Sequence, residues 1–317
     1  MNKLEEAIKK ARKFIFANRD SSGLWRDFES RTHGESVDWV SSYVGLCLLE
    51  SGIPASDLEL TANSILKRQN EEYYGWGYNE KIVPDADSTA FSILFLSHFG
   101  YDLERAKDFL LAHQKSYGSF GTYIPELIDR YCSQSSWAKR IGNNSFEGWC
   151  SGIPDVTATA LQALGNDKEA VEYMKTHQAN GGFWRAYWYN NDIYSTVHGI
   201  MAIKGHDSVN EIEKAQDWLA RQRIVADVPF YVALSLQGFM TNGSFGEQIE
   251  NGIKKLLDLQ QKDGSWRTYP ILRFPLPSNL EPWNDSSRWR EEAKDQNRMF
   301  TTATCLQTLS QYQERLS

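Results

Sequence analysis

Apolar residues recur along this chain with a helical period, in two alternating kinds of segment. The first kind has one apolar stripe and one charged face, as between Lys9 and Phe16, which is typical of a helix on the surface of a fold. Six segments have this pattern: residues 3–17, 58–70, 103–115, 166–178, 208–222 and 246–262. We predict that these are outer helices.

Each outer segment is followed by a segment of the second kind, with few charges and many small and apolar residues. These six segments are residues 38–51, 86–99, 155–165, 192–204, 227–240 and 299–314. A helix that is apolar all round must be buried on most sides. We therefore predict that the second set forms inner helices.

Most links from an outer to an inner helix contain a glycine followed by an aromatic residue. They are Gly23-Leu24-Trp25, Gly75-Trp76, Gly118-Ser119-Phe120, Gly181-Gly182-Phe183-Trp184 and Gly264-Ser265-Trp266, and Gln69, Gln114, Gln178 and Gln261 precede four of them. Glycine ends a helix, and the ring can fill the gap between neighbouring pairs. Six such pairs predict an all-α fold, a closed (α/α)6 toroid, because a ring buries faces that one hairpin would expose. The repeat favours a single domain over residues 1–317, without a second helical domain.

A short segment recurs where inner helices begin, and one copy carries an additional acid. The clear copies are Pro84-Asp85-Ala86-Asp87-Ser88-Thr89-Ala90 and Pro154-Asp155-Val156-Thr157-Ala158-Thr159-Ala160, with weaker ones from Asp38, Asp192 and Asp227. In this alignment the first Asp recurs, whereas Asp87 has no counterpart. We interpret the recurring Asp residues as caps of helix N-termini. Asp87 is the candidate for chemistry, and a second capping carboxylate is the alternative for it.

Composition excludes several classes of function. The net charge of −7 is opposite to that of a nucleic-acid-binding surface. The four cysteines are scattered, which favours a reduced, cytoplasmic protein over a disulfide scaffold. The chain has no run of about 18 apolar residues, so we predict no transmembrane segment. The six histidines lack metal-ligand spacing, so we predict no metal site.

The Gly-Trp link followed by Pro-Asp-x-Asp-x-Thr-Ala resembles the squalene–hopene cyclases and the class II diterpene cyclases, and the Gln…Gly…Trp links resemble their QW repeats. In that family the middle Asp of an Asp-x-Asp-Asp motif protonates an alkene or epoxide and starts cyclisation. The resemblance implies that Asp87 is this acid, that Asp85 supports it, and that Ser88 replaces the last Asp of the motif. The toroid also resembles the β subunit of protein prenyltransferases, although their zinc-binding Asp-x-Cys pair is missing here.

Carbocations are stabilised by aromatic faces through cation–π attraction. We therefore predict a substrate-binding wall that consists of Trp76, Tyr78, Trp149, Trp184, Tyr187, Trp188 and Tyr194. Packing between helix pairs is the alternative for each, above all for Trp76 and Trp184. If the substrate is a prenyl diphosphate, we expect Arg185, Arg288 and Arg290 to bind it, together with Mg²⁺.

The leading hypothesis is a class II terpene cyclase that acts on an isoprenoid chain, either a free polyene or a prenyl diphosphate. The family usually places its cavity between two domains. With one domain, the cavity must be closed by the links, such as the long link 267–297, by a membrane, or by a partner such as a second copy. Two other hypotheses remain: an isoprenoid- or peptide-binding toroid without turnover, and a carbohydrate-active (α/α)6 enzyme with two carboxylates across a cleft.

Overall fold

The computed structural model describes residues 2–30, 33–134, 145–222, 227–241, 246–284 and 289–316. The protein is 56% helical, and its described strands form two small antiparallel sheets. The helices are α1 (Lys3–Ala17), α2 (Asp38–Leu49), α3 (Glu59–Lys67), α4 (Ala86–Leu96), α5 (Glu104–Leu111), α6 (Pro125–Gln134), α7 (Glu147–Cys150), α8 (Pro154–Leu164), α9 (Lys168–Thr176), α10 (Ile193–Ile203), α11 (Val209–Ala220), α12 (Pro229–Met240), α13 (Gly246–Leu259) and α14 (Met299–Arg315). The strands are β1 (Asp27–Ser30), β2 (Gly34–Ser36), β3 (Leu272–Pro275) and β4 (Trp289–Ala293). The prediction of a mainly helical fold is confirmed, whereas the two sheets were not predicted.

Six helices, α2, α4, α8, α10, α12 and α14, are buried on nearly all sides, and they correspond to the predicted inner helices. Each packs against the next in chain order, and α14 packs against α2. The helices α1, α3, α5, α9, α11 and α13 bury one face each and match the predicted outer helices. The core therefore lies among the inner helices and between them and the outer ones.

Four link tryptophans join an outer helix to the following inner helix. Each indole N–H donates to a carbonyl oxygen near the end of the preceding outer helix, at 2.7–2.9 Å: Trp25 to Ile15, Trp76 to Ile65, Trp184 to Met174 and Trp266 to Leu256. All four side chains are at most 1% exposed. Trp76 and Trp184 are therefore packing residues, and their predicted place in a substrate-binding wall is wrong.

The link aromatics also determine how the inner helices correspond to one another. In four pairs the backbone N–H of the link aromatic donates to an inner-helix hydroxyl: Trp25 to Ser41, Trp76 to Thr89, Phe120 to Thr157 and Trp184 to Thr196. Each hydroxyl lies four positions after the N-cap of its helix, which is Val37, Asp85, Ile153 or Asp192. Asp87 therefore corresponds to Trp39, Asp155 and Tyr194. The predicted alignment, which matched Asp85 with Asp155, is wrong by two residues.

Among the recurring acids, Asp85 caps its own helix, since its carboxylate accepts from the Ser88 backbone N–H at 2.7 Å. The other acids bind elsewhere, so their predicted capping role is wrong. Asp38 binds Arg68, Asp155 accepts from the backbone of Tyr187 and Trp188, Asp192 binds Arg185 and the backbone of Ala186, and Asp227 pairs with Lys255. These acids hold neighbouring segments in place.

Link glycines let each link approach the next outer helix closely. Gly264 has a φ of +95°, and a Cβ there would lie 2.4 Å from the carbonyl oxygen of Lys10 in α1. Only glycine tolerates both the contact and the backbone conformation. The Gln260 side chain adds a bond to the Ala7 carbonyl at 2.9 Å, so Gln260 rather than the predicted Gln261 is the link glutamine here. The last link is thereby joined to the first helix.

We expect Trp76→Phe to lower the free energy of unfolding by about 1–3 kcal/mol, because the Ile65 carbonyl keeps the Arg68 N–H but loses the buried indole N–H that joins the link to α3. Trp218→Phe is the matched control, since this half-buried ring stacks on Phe183 and packs at the edge of the core, as a phenylalanine ring also can. Urea unfolding followed by circular dichroism measures both. Equal stability of the two variants would show that the indole bond does not hold the pair together.

Candidate active site at the N-terminal ends of the inner helices

A cavity of about 80 Å³ lies beside the N-terminal ends of α2 and α4. Asp85, Asp87 and Ser88 line it from α4. Seven aromatic side chains form much of the rest of its wall: Trp39, Tyr78, Tyr123, Trp149, Trp188, Tyr189 and Phe274. The structure therefore brings the predicted acid motif to an aromatic cavity.

Of the two acids that line this cavity, Asp87 has the more strongly raised pKa. Burial raises its pKa to about 8, against a hydrogen bond from the Thr159 hydroxyl at 2.7 Å that lowers it. The charges of Asp85 and Asp155 raise the pKa further, and the nearby Trp39 indole N–H, a donor with no other partner among the described residues, lowers it. Asp87 keeps part of its surface accessible, because it lines the cavity, but it is removed from bulk water. It therefore holds a proton at neutral pH.

Asp85 and Ser88 act as a unit beside Asp87. The Ser88 hydroxyl donates to Asp85 at 2.8 Å, on the oxygen that the Ser88 N–H leaves unbound. Burial raises the pKa of Asp85 to about 7, while the bonds from Ser88 lower it. Ser88 thus supports the capping carboxylate and does not touch Asp87 through a hydrogen bond.

Three of the predicted aromatic residues lie on the cavity wall: Tyr78, Trp149 and Trp188. The Trp149 indole N–H donates to the Pro275 carbonyl at 3.1 Å, and that of Trp188 donates to the Thr122 hydroxyl at 2.8 Å. The two indole rings lie 5.7 Å apart. Their polar atoms are therefore satisfied on the protein side, and apolar ring surface is left for the cavity.

Two predicted wall residues lie behind the cavity surface. Tyr187 is fully buried, and its hydroxyl donates to the Asn279 carbonyl at 2.7 Å. Tyr194 is stacked against Tyr189 with ring centroids 3.4 Å apart, and it is Tyr189 that reaches the cavity. The predicted roles of Tyr187 and Tyr194 in contacting substrate are therefore corrected to packing behind the wall.

Of the predicted basic residues, Arg185 lies away from this cavity. Arg185 pairs with Asp192 at 2.8 Å and lines a separate pocket of about 300 Å³. Arg288 and the side chain of Arg290 lie outside the described residues. The arginine on the wall is Arg273 of β3, which is 3% exposed and donates through Nε to the Tyr187 carbonyl at 2.9 Å.

The long last link supplies one part of the wall that sequence reasoning missed, and Trp39, Tyr123 and Tyr189 are others. Leu272, Arg273 and Phe274 of β3 line the cavity, and the Arg273 N–H donates to the Trp188 carbonyl at 2.9 Å. This pairing of two links, together with Tyr78, covers the ends of the inner helices. The link 267–297 had been singled out by its length, but its lining residues carried no local signal.

Within the described ranges, no group of three or more His, Cys, Asp or Glu side chains is arranged to hold a metal ion. Across the same residues, every helix is too short or too polar to span a bilayer.

Solved structures that resemble this fold include type II terpene cyclases. The chain matches the apo structure of the type II terpene cyclase MstE from Scytonema with a TM-score of 0.87 and 24% identity, over 99% of both chains. Variants of MstE have been solved with geranylgeranyl dihydroxybenzoate as substrate and with merosterolic acid A as product. A protein from Actinoplanes matches with a TM-score of 0.86 and 25% identity, over 96% of this chain and 98% of that one.

The ent-copalyl diphosphate synthase from Streptomyces platensis matches more distantly, with a TM-score of 0.61 and 16% identity. The match covers 86% of this chain and 50% of that longer one. No protein-family model and no curated protein matches the sequence. The structural matches define the class of fold: this chain has the fold of the type II terpene cyclases.

We expect the Asp87→Asn variant to melt at a higher temperature than the native protein, by a margin that grows as the pH rises. Folding raises the pKa of Asp87 from 3.8 to about 8, so its contribution to stability is present at low pH and is lost between those values. Asparagine has no proton to lose, so the gain grows toward pH 8, by roughly 2–4 °C for each kcal/mol. Calorimetry from pH 4 to 8 measures it.

Asp217→Asn is the matched control, because Asp217 is exposed on α11. It should leave the pH dependence of the melting temperature unchanged. The same pH dependence in the Asp87→Asn and native proteins would contradict a buried, protonated Asp87.

Proposed function

We propose that this protein is a type II terpene cyclase, an isomerase whose six helix pairs form an (α/α)6 toroid, and that Asp87 protonates an isoprenoid chain. The observation that carries the proposal is the place of Asp87. It is a carboxyl group that lines an aromatic cavity, on a chain that matches MstE over 99% of its length.

The chemistry begins with transfer of the Asp87 carboxyl proton to the less substituted carbon of the terminal double bond of the chain. The π electrons form the new C–H bond and leave a tertiary cation on the other carbon, which successive double bonds attack to form C–C bonds. Loss of a proton to water from a carbon next to the last cation creates a new double bond, and Asp87 regains a proton from solvent. Atoms are conserved between substrate and product, which makes the reaction an isomerisation.

Two donors stabilise the carboxylate that proton transfer leaves on Asp87. The Thr159 hydroxyl already bonds it at 2.7 Å, and the Trp39 indole N–H favours the ionised form. Donors placed in advance where charge develops lower the barrier without reorganisation. The ring faces of Trp149 and Trp188 can stabilise the cation by about 0.5–2 kcal/mol each.

The size of the cavity bears on the substrate. About 80 Å³ is less than the roughly 300–1,000 Å³ of a typical small-molecule site. Binding of a long isoprenoid chain must therefore widen the cavity, and most of its wall, including Tyr78 and Phe274, lies outside the inner helices. We propose a substrate with an isoprenoid chain, either a polyene or a prenylated head group. Mg²⁺ would take part only with a diphosphate.

We expect purified protein to cyclise one of four substrates: squalene, farnesyl diphosphate, geranylgeranyl diphosphate or geranylgeranyl dihydroxybenzoate. Reaction in D₂O should place one deuterium on the carbon that Asp87 protonates, as read by mass spectrometry. Asp87→Asn should lower kcat by about 10²–10⁴-fold, because it removes the general acid. Asp217→Asn serves again as the control.

Cyclisation by the Asp87→Asn protein at the native rate, or product without deuterium, would contradict the assignment of Asp87 as the acid. Tight binding of these compounds by the native protein with no product under any condition would instead identify a non-catalytic isoprenoid-binding toroid.

A further inference from the structure

Asp87 has a structural counterpart on the neighbouring inner helix. Asp87 lies two residues after the N-cap of α4, and Asp155 lies two residues after the N-cap of α8. The two helices pack directly against each other. Asp155 is 2% exposed and Asp87 is half-buried at the cavity, so two carboxyl groups lie at the same level of the ring on adjacent helices.

The surroundings of Asp155 favour its ionised form more than those of Asp87. Its Oδ2 accepts from the backbone N–H groups of Tyr187 and Trp188, at 2.8 and 3.0 Å. Arg273, which binds the carbonyl side of the same link, adds a positive charge. Hydrogen bonds and an opposite charge both stabilise a carboxylate.

The helix that carries Asp155 also holds Asp87 in position. Thr159 lies one turn further along α8 than Asp155, and its hydroxyl donates to Asp87 at 2.7 Å. A fixed negative charge on α8 disfavours ionisation of the carboxyl group that α8 holds.

We propose that Asp155 is the second carboxylate of the acid site, a fixed negative charge that keeps the proton on Asp87. Asp155 supplies from α8 the negative charge that Ser88, in the place of the last Asp of the motif, cannot supply on α4. Asp155 is thus a positioning residue that acts through Asp87. Its effect on catalysis rests on the proposed function, but its effect on the Asp87 proton does not.

The other titratable groups around the two acids are compatible with a protonated Asp87 beside an ionised Asp155. Burial raises the pKa of Asp87 to about 8 and that of Asp155 to about 6, so between these values one is protonated and the other charged. On α4 itself, Asp85 has a pKa near 7. The cation is Arg273 of β3, and the hydroxyls of Tyr189 and Tyr194 have a pKa raised well above 10, so they stay neutral.

The test compares Asp155→Asn with Asp192→Asn. Asparagine at position 155 removes the charge and keeps an oxygen for the two N–H groups. Asp192 holds the same link through the Ala186 N–H at 2.9 Å, and its charge is paired with Arg185 at 2.8 Å. Loss of link anchoring alone would therefore affect both variants, whereas loss of the charge affects Asp155→Asn alone.

The readout is the ¹³C NMR titration of the Asp carboxyl carbons in substrate-free protein, with Asp87→Asn identifying the Asp87 signal. We expect Asp155→Asn to lower the midpoint of Asp87 by about one pH unit, and Asp192→Asn to leave it in place. The alkaline limb of the pH–kcat profile should move by the same amount. A midpoint unchanged in folded Asp155→Asn overturns the proposal.

Asp155→Glu is the second variant, because it keeps the charge and should keep the midpoint high. A lowered midpoint in folded Asp155→Glu overturns the proposal even where Asp155→Asn does not fold. If none of the isoprenoid substrates is cyclised, the proposed function fails, while the titration still decides the role of Asp155.

Discussion

The removal of the Asp87 carboxyl from water is the constraint on which the rest of the structure depends. Asp87 sits in the first turn of α4, where the helix dipole favours ionisation by about 0.3–1 kcal/mol. Burial acts in the opposite direction and is larger, since the pKa rises to about 8. The balance holds only while solvent is kept out, so the walls around Asp87 decide whether it is an acid at neutral pH.

Those walls depend on a link held from both sides. Asp155 accepts from the N–H groups of Tyr187 and Trp188, and Arg273 donates to the carbonyl of Tyr187. Opposite charges thus hold opposite sides of one backbone segment and place Trp188 on the cavity wall. The links thereby cover the cavity within a chain that matches MstE from end to end.

The helical pattern and the acid motif were visible in the sequence because both are local. The register was not: Pro84-Asp85 and Pro154-Asp155 look alike, yet α4 begins after Asp85 and α8 begins at Pro154. The bonds that set the register join a link to a hydroxyl on the next helix. The contribution of Arg273 was hidden for a related reason, because it depends on pairing between links distant in sequence.

The corrected register explains how one level of the ring can serve both the acid and the cation. Counted from the helix N-caps, this level contains Trp39, Asp87, Asp155, Tyr194, Phe230 and Phe300. The acids are adjacent, and the aromatic rings continue around the other side, with Trp39 and Phe300 at 4.9 Å and Phe230 and Phe300 at 5.5 Å. Negative charge is thus confined to one side. In the proposed reaction a cation forms beside this charge, and Trp39, the ring of this level that lines the cavity, can stabilise it through its face.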